Sequence, residues 1–154
     1  MLRQAPRRYK GVVMLLLIAA FACLAAGVGE RKPLVLGDFA LIDETAEFTS
    51  EAARREDERR VALASAQLRK ELESRGLYRL VEAEKQTEGA RVARCWVQKV
   101  SNLILNLNIE VRDSATGEAL YTRSVDIRGN TDESWLRGVR RLVDHIEARD
   151  DHLR

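Results

Sequence analysis

Asparagine is uncommon in β-strands, because its short amide competes with the strand ladder for backbone hydrogen bonds. Asn102, Asn106 and Asn108 nevertheless fall on one parity of an alternating run, with Gln98 upstream. Amides in that pattern can form a cross-strand ladder, cover a neighbouring loop, or contact a partner. Lys99 and Ser101 share the opposite, apolar parity where the alternation is least regular, which marks an edge or a bulge. Asp38 interrupts an apolar run, and a carboxylate there needs a hydrogen-bonding or arginine partner. Asn130, Asp132 and Glu133 sit in a turn ahead of an amphipathic helix. Asp38, Lys99, Asn102, Asn106, Asn108, Asn130, Asp132 and Glu133 are the candidate binding set. They offer amides, one ammonium and three carboxylates, which is the chemistry of recognition and not of bond cleavage.

Reactive chemistry is harder to place. Nucleophile elbows, zinc-protease and P-loop signatures, paired Cys-x-x-Cys and Gly-x-Gly-x-x-Gly loops are all missing from the sequence. Cys95, flanked by Arg94 and Trp96 in a strand pattern, reads as a small buried hydrophobe. A catalytic thiol would want a histidine, and only His145 and His152 exist, both near the C-terminus. Those two, beside Glu147, Asp150 and Asp151, read as a surface helix end and not as a metal site. No catalytic residue, metal or cofactor is expected.

The elements that must position the candidates follow from periodicity. Pro33–Asp43 is a continuous apolar run after a proline, expected to be a strand covered on both faces. Glu51–Arg60 is a charge run with Glu51/Arg55 and Glu56/Arg60 at helical spacing, expected to be a solvated helix face. Val61, Ala64, Leu68 and Leu72 then form an apolar stripe, and Gly76 follows Arg75, so a helix is predicted over 50–75. Leu77–Glu82 is a short strand, and the strand–helix–strand order predicts a parallel crossover. Lys85–Arg91 is a loop, and Val92–Val100 resumes strand character. Leu103, Leu105, Leu107, Ile109 and Val111 are expected to face the core. Asp113–Glu118 is turn chemistry, and Ala119–Arg128 returns antiparallel as a long hairpin. Asn130 is expected to cap the last helix, with Glu133 reaching back. Trp135, Val139, Leu142 and Ile146 are its buried stripe, with Arg137, Arg140, Arg141 and Arg149 outward.

The expected fold class is therefore α/β. A mixed four- to five-stranded sheet carries a long C-terminal hairpin, with two main helices packed on one face. An N-terminal hydrophobic signal or anchor helix precedes it.

Met1–Lys10 is basic and Gly11–Gly29 is almost wholly apolar, ending in small residues. That is the layout of a secretory signal peptide, with cleavage near Ala26 or Gly27. The run also approaches the length of a bilayer span, so an uncleaved anchor is the rival. Basic residues before the run place the domain outside the cytoplasm in either case, in the periplasm for a bacterium. Of 154 residues, 26 are basic and 24 acidic. Four basic residues and no acidic ones precede residue 30, so the remainder carries 22 against 24, a net of −2. Without a basic stripe and with few aromatics, nucleic acid is not an expected partner. The expected organisation is 1–29 signal or anchor, 30–149 one domain, and 150–154 a frayed tail.

Two long motifs resemble a bacterial exported family described as a domain of unknown function (3280 or 2380). They are Val97–Asn106 and Arg128–Trp135, with Leu36-Gly37-Asp38-Phe39 and Ile42-Asp43 resembling its first strand. The resemblance spans about 33–147. More distantly, the element order is similar to the amino-terminal domain of TolB and the periplasmic domains of CsgG and LpoB. Those share an Asp-Phe strand and a late hairpin with a turn like Asp113–Glu118. This chain departs from them between Glu82 and Trp96, where they carry a second helix, so the resemblance implies a sheet with one face less covered. It implies no catalytic residues, and its distant relatives act by binding other envelope proteins.

The function expected is a non-catalytic periplasmic accessory module that binds another envelope protein, touching the inner membrane only through an uncleaved N-terminal segment. The contact surface expected is the Asn102/Asn106/Asn108 face with Lys99 and the Asn130–Glu133 turn. The rival is a small-ligand protein with Asp38, Lys99 and Asn102 around a pocket at the strand ends; a hydrolase of unrecognised type is the third reading.

Overall fold

The computed structural model describes residues 31–85 and 89–151. The signal or anchor segment and the last three residues lie outside them. The described elements all lie in one compact unit that begins at Lys32. These are β1 (Pro33–Asp43), α1 (Glu51–Ser74), β2 (Arg79–Val81), β3 (Arg91–Ser101), β4 (Ile104–Asp113), β5 (Ala119–Arg128) and α2 (Asp132–Asp151). Short 3-10 turns cover Ala46–Phe48 and Ala83–Lys85. The sheet order is β2-β1-β3-β4-β5. β1 runs parallel to β2 and β3, and β3-β4-β5 form an antiparallel meander. The α/β fold, the parallel crossover and the two helices on one face are as the sequence predicts.

Local chemistry sets the boundaries. Ser50 caps α1 by accepting from the Ala53 amide at 3.3 Å. Its other end closes at Gly76, with φ of 66°, through a Leu77 amide to Leu72 carbonyl bond of 3.1 Å. In the β4–β5 turn Asp113 Oδ1 accepts from the amides of Ala115 and Thr116, both at 2.9 Å, and Gly117 takes φ of 71°. The cap of α2 is Thr131, not Asn130. Thr131 Oγ1 accepts the Ser134 amide at 3.2 Å while Ser134 Oγ accepts the Thr131 amide at 3.1 Å. Serine at the third position makes the reciprocal contact expected of Glu133, which instead pairs with Arg137 at 3.0 Å on the surface.

The core lies between the helices and one sheet face. Leu34, Leu36 and Phe39 of β1 meet Val97, Leu105, Leu107 and Ile109, with Leu68, Leu72, Trp135, Val139 and Leu142 from above. Gly138 marks the closest approach of α2, since a Cβ there would lie 2.9 Å from Leu107 Cδ1. A bulge between Leu36 and Phe39 inserts one extra residue into β1, so inward positions switch from even to odd numbers. Its backbone groups are held by α1: the Phe39 amide donates to Ser65 Oγ at 3.0 Å, and Arg69 donates to the Leu36 carbonyl at 3.1 Å.

Four expectations need correcting. β1 is covered on one face only; Ala40 and Ile42 are exposed. Leu103 does not face the core: it is 70% exposed in a turn between β3 and β4. Arg149 is not outward but half-buried, 5.6 Å over the Tyr121 ring. The Glu51–Arg60 run is not a wholly solvated face, because Asp57 is 1% exposed.

Asp57 belongs to a buried polar node. Lys99 Nζ, from a fully buried side chain, lies 2.6 Å from Asp57 Oδ2 and 3.3 Å from Asp43 Oδ2. Asp57 Oδ1 accepts from Asn130 Nδ2 at 2.8 Å, and Asn130 Oδ1 accepts the Trp135 indole N–H at 2.7 Å. Removing one partner of a buried ion pair leaves the other charge uncompensated. Asp57→Ala is therefore expected to cost about 3–5 kcal/mol in urea unfolding. Lys99→Met costs less, because Asp57 keeps Asn130 and Arg60.

Candidate functional site: the outer face of the sheet

The helices occupy one face, and no helix among the described elements lies on the other. The reason is the connection between β2 and β3. Parallel strands ordinarily need a crossover of a dozen or more residues. Here the connection is only nine residues, 82–90, whose described part holds a 3-10 turn, and among the described residues no helix covers the outer face.

Register builds that face row by row. Ile42, Gln98, Asn106 and Asp126 form one row; Ala40, Trp96, Asn108 and Ser124 the next. Arg94, Glu110 and Thr122 make a third, and Val35, Val92 and Arg112 a fourth. The β1 strand with Val92 and Trp96 of β3 therefore forms an apolar side, bordered by Arg94 and Gln98, and the β4 and β5 side is polar. On the apolar side a shallow groove of about 650 Å³ runs over Val35, Ala40, Ile42, Val92 and Trp96, with Arg94 and Glu110 on its polar flank. Trp96 is half-buried at its middle. The groove opens at one end onto further apolar surface. Ile42, Phe48, Val100, Leu103 and Ile104 are the exposed large hydrophobics of the described domain. All lie where β1 and β3 finish and β4 begins.

The eight candidate residues do not form one site. Asn106 and Asn108 face outward as expected. Asn108 is 8% exposed and donates to the Asn106 carbonyl at 3.1 Å, while Asn106 Nδ2 donates to Asp126 at 3.0 Å. Asn102 is not on the strand face but in the β3–β4 turn. Lys99 and Asn130 point inward to the Asp57 node, and Asp132 pairs with Arg60 at 3.2 Å beside it. Glu133 is on the surface of α2. Asp38 is 72% exposed at the β1 bulge, 3.1 Å from Arg69, which is the arginine partner that a carboxylate in this strand requires. Asp38 and Lys99 are separated by five β1 positions, roughly 15 Å, so Asp38, Lys99 and Asn102 do not ring a pocket. Sequence reasoning missed Trp96 and the apolar rows of β1, whose signal was an apolar residue on the even parity of β3.

Burial pushes the Cys95 thiol up to about 12, far from a thiolate. Among the described residues no three His, Cys, Asp or Glu side chains gather to hold a metal. Also among the described residues, no helix is long and apolar enough to cross a membrane.

With this geometry in view, comparison with known proteins gives one family. A family model described as a protein of unknown function (DUF2380) matches residues 85–146. This is the family that the two long motifs resemble. No curated protein matches the chain. Similar solved structures include a PelC L103M dodecamer from Paraburkholderia phytofirmans, at 14% identity, covering 74% of this chain and 84% of that one, with a TM-score of 0.46. The LpoB C-terminal domain from Salmonella enterica is similar at 15% identity, over 71% of this chain and 91% of that one, with a TM-score of 0.44. A putative neuraminyllactose-binding hemagglutinin homolog from Helicobacter pylori aligns at 11% identity over 77% and 87%, with a TM-score of 0.45.

Two measurements follow from the site's electrostatics. Burial works to raise the Asp43 carboxyl, but the Thr45 hydroxyl and amide together with Lys99 outweigh it and hold it below its ordinary value. Asp132 is lowered by Arg59 and then Arg60, and Asp113 by the Thr116 and Ala115 amides. Carboxyls lowered in the folded state stabilise it above their unfolded pKa of about 4, and that stability is lost as pH falls through the folded values. Tm should be level above about pH 5 and fall below pH 4. In a Cys23→Ser background, Cys95 should resist maleimide at pH 8 in the native protein and react on unfolding.

Proposed function

We propose that this chain is an exported, non-catalytic accessory module that binds another cell-envelope protein through the outer face of its sheet. The observation that carries this reading is the apolar groove around Trp96, which reaches Ile42 at the end of the sheet where Val100, Leu103 and Ile104 are also exposed. Contiguous exposed apolar surface with a polar border is characteristic of interaction sites, and an aromatic near the middle is the usual anchor. On the polar side of the face, Asn108, Glu110 and Arg112 are engaged with neighbours, and Asn106 gives its Nδ2 to Asp126 while its Oδ1 has no partner among the described residues. That side supplies a rim that orients a partner, while the apolar side supplies contact. Export is supported by the basic start and apolar run of the first 29 residues.

The open, shallow groove favours a protein over a small ligand, which ordinarily requires a concave site with a few converging polar groups. The test is quantitative capture from envelope fractions of the host, using the tagged full chain and the variants Trp96→Arg and Leu103→Ser. A saturable envelope partner should be retained by the wild type and weakened about tenfold or more by Trp96→Arg. Circular dichroism and Tm should stay near wild type. A partner held equally by all three chains, or no saturable partner, overturns the reading.

A further inference from the structure

A second concave region lies at the exposed edge of β5, between the strand end at Asp126–Arg128 and the first half of α2, apart from the Trp96 groove. It encloses about 320 Å³ and is lined by Asp126, Ile127, Arg128, Ser134, Arg137 and Arg141. Three arginines from two elements line this region together with one aspartate. Asp126 gives its carboxylate to the Asn106 amide at 3.0 Å and its backbone carbonyl to Arg141 at 2.8 Å. Arg137 reaches back to the exposed Glu133 at 3.0 Å. Arg128 makes no side-chain hydrogen bond or ion pair among the described residues. Ser134 is already committed, its hydroxyl within 2.7 Å of the Thr131 carbonyl and 2.8 Å of the Gly129 carbonyl.

This arrangement is unfavourable for an empty surface. Arg137 and Arg141 are an i, i+4 pair of like charge on one helix, which destabilises the helix. Arg128 adds a third positive charge from the facing strand end. An anion bound among them removes the repulsion and gives each guanidinium a charged acceptor. The donors come from a helix and a strand end, so they do not lie in one plane. A planar carboxylate is satisfied by a single arginine fork, whereas a tetrahedral phosphoryl group presents several terminal oxygens and accepts from several forks together.

We propose that Arg128, Arg137 and Arg141 form a binding site for a phosphoryl oxyanion, carried by a soluble phosphate compound or by a phospholipid headgroup. The site is separate from the Trp96 groove and needs none of its residues, so either can fail without the other.

The test uses the full chain in a non-ionic detergent. Inorganic phosphate and, separately, water-soluble dihexanoyl phosphatidylglycerol are titrated while Tm and the arginine side-chain NMR signals are followed. Chloride and acetate at matched ionic strength serve as baselines. Phosphate should raise Tm saturably above both baselines and shift the signals of these arginines. Arg128→Gln and Arg137→Gln should each weaken that response about tenfold or more while leaving Tm in chloride near wild type. A response to phosphate alone assigns a soluble phosphoryl ligand, and a response to both probes at the same arginines assigns the headgroup. A phosphate response no greater than that to chloride, or one unchanged in both variants, overturns the proposal.

Discussion

The ion pair between Lys99 and Asp57 is the constraint on which the rest of the domain depends. Both side chains are withdrawn from water, and desolvating two charges costs several kcal/mol for each, roughly what a good pair returns. The pair is viable because its remaining hydrogen-bonding capacity is used. Asp43 stands on the far side of the ammonium, and Asn130 takes the second oxygen of Asp57. Asn130 in turn receives the indole of Trp135, the largest fully buried side chain. One connected set of contacts thereby joins the end of β1, the first half of α1, β3, the β5–α2 turn and α2. Sliding β3 by one residue would swing Lys99 to the outer face and take the ammonium away from buried Asp57, so the node enforces the register that the apolar pattern prefers.

That arrangement divides the sheet into two faces with different chemistry. The inner face is committed: its apolar residues are packed and its charges paired. The outer face inherits what the fold did not need. Its asparagines are partly structural, since Asn108 spends its amide on backbone carbonyls of its own and the neighbouring strand. The unspent surface is the apolar side around Trp96, next to the connection too short to supply a helix.

Much of this was legible because alternation and helical stripes are direct consequences of burial. The turn at Asp113–Glu118 and the crossover of β1 and β2 were equally plain. The β3–β4 turn was hidden for a specific reason. A two-residue turn at Asn102 and Leu103 would by itself pair odd residues of one strand with even residues of the other. The bulge at Val100 shifts the register by one, so Lys99 opposes Leu105 and odd residues on both strands face the helices. The alternation therefore passes through the turn unbroken and reads as one long strand. Lys99 and Ser101, where irregularity was expected, bracket that bulge. Asp57 was hidden differently. Its neighbours at helical spacing explain it as a surface charge, yet it stands one turn ahead of Val61, Ala64, Leu68 and Leu72 on the same stripe. A buried-phase Asp on one element and a buried-phase Lys on another were both visible, and only the fold brings them together.

The edges of the sheet bear on the proposal that a partner docks on the outer face. An edge strand presents free carbonyls and amides that invite strand addition. β5 is such an edge, but its carbonyls at Leu120, Thr122 and Asp126 accept from Arg149, Arg123 and Arg141. Two of those arginines come from α2, so the helix that packs the core also shields the edge beside it. β2 spans only Arg79–Val81 and offers little ladder to extend. With one edge occupied by arginine and the other nearly absent, side-chain contact across the outer face is the route to a partner that the backbone leaves open.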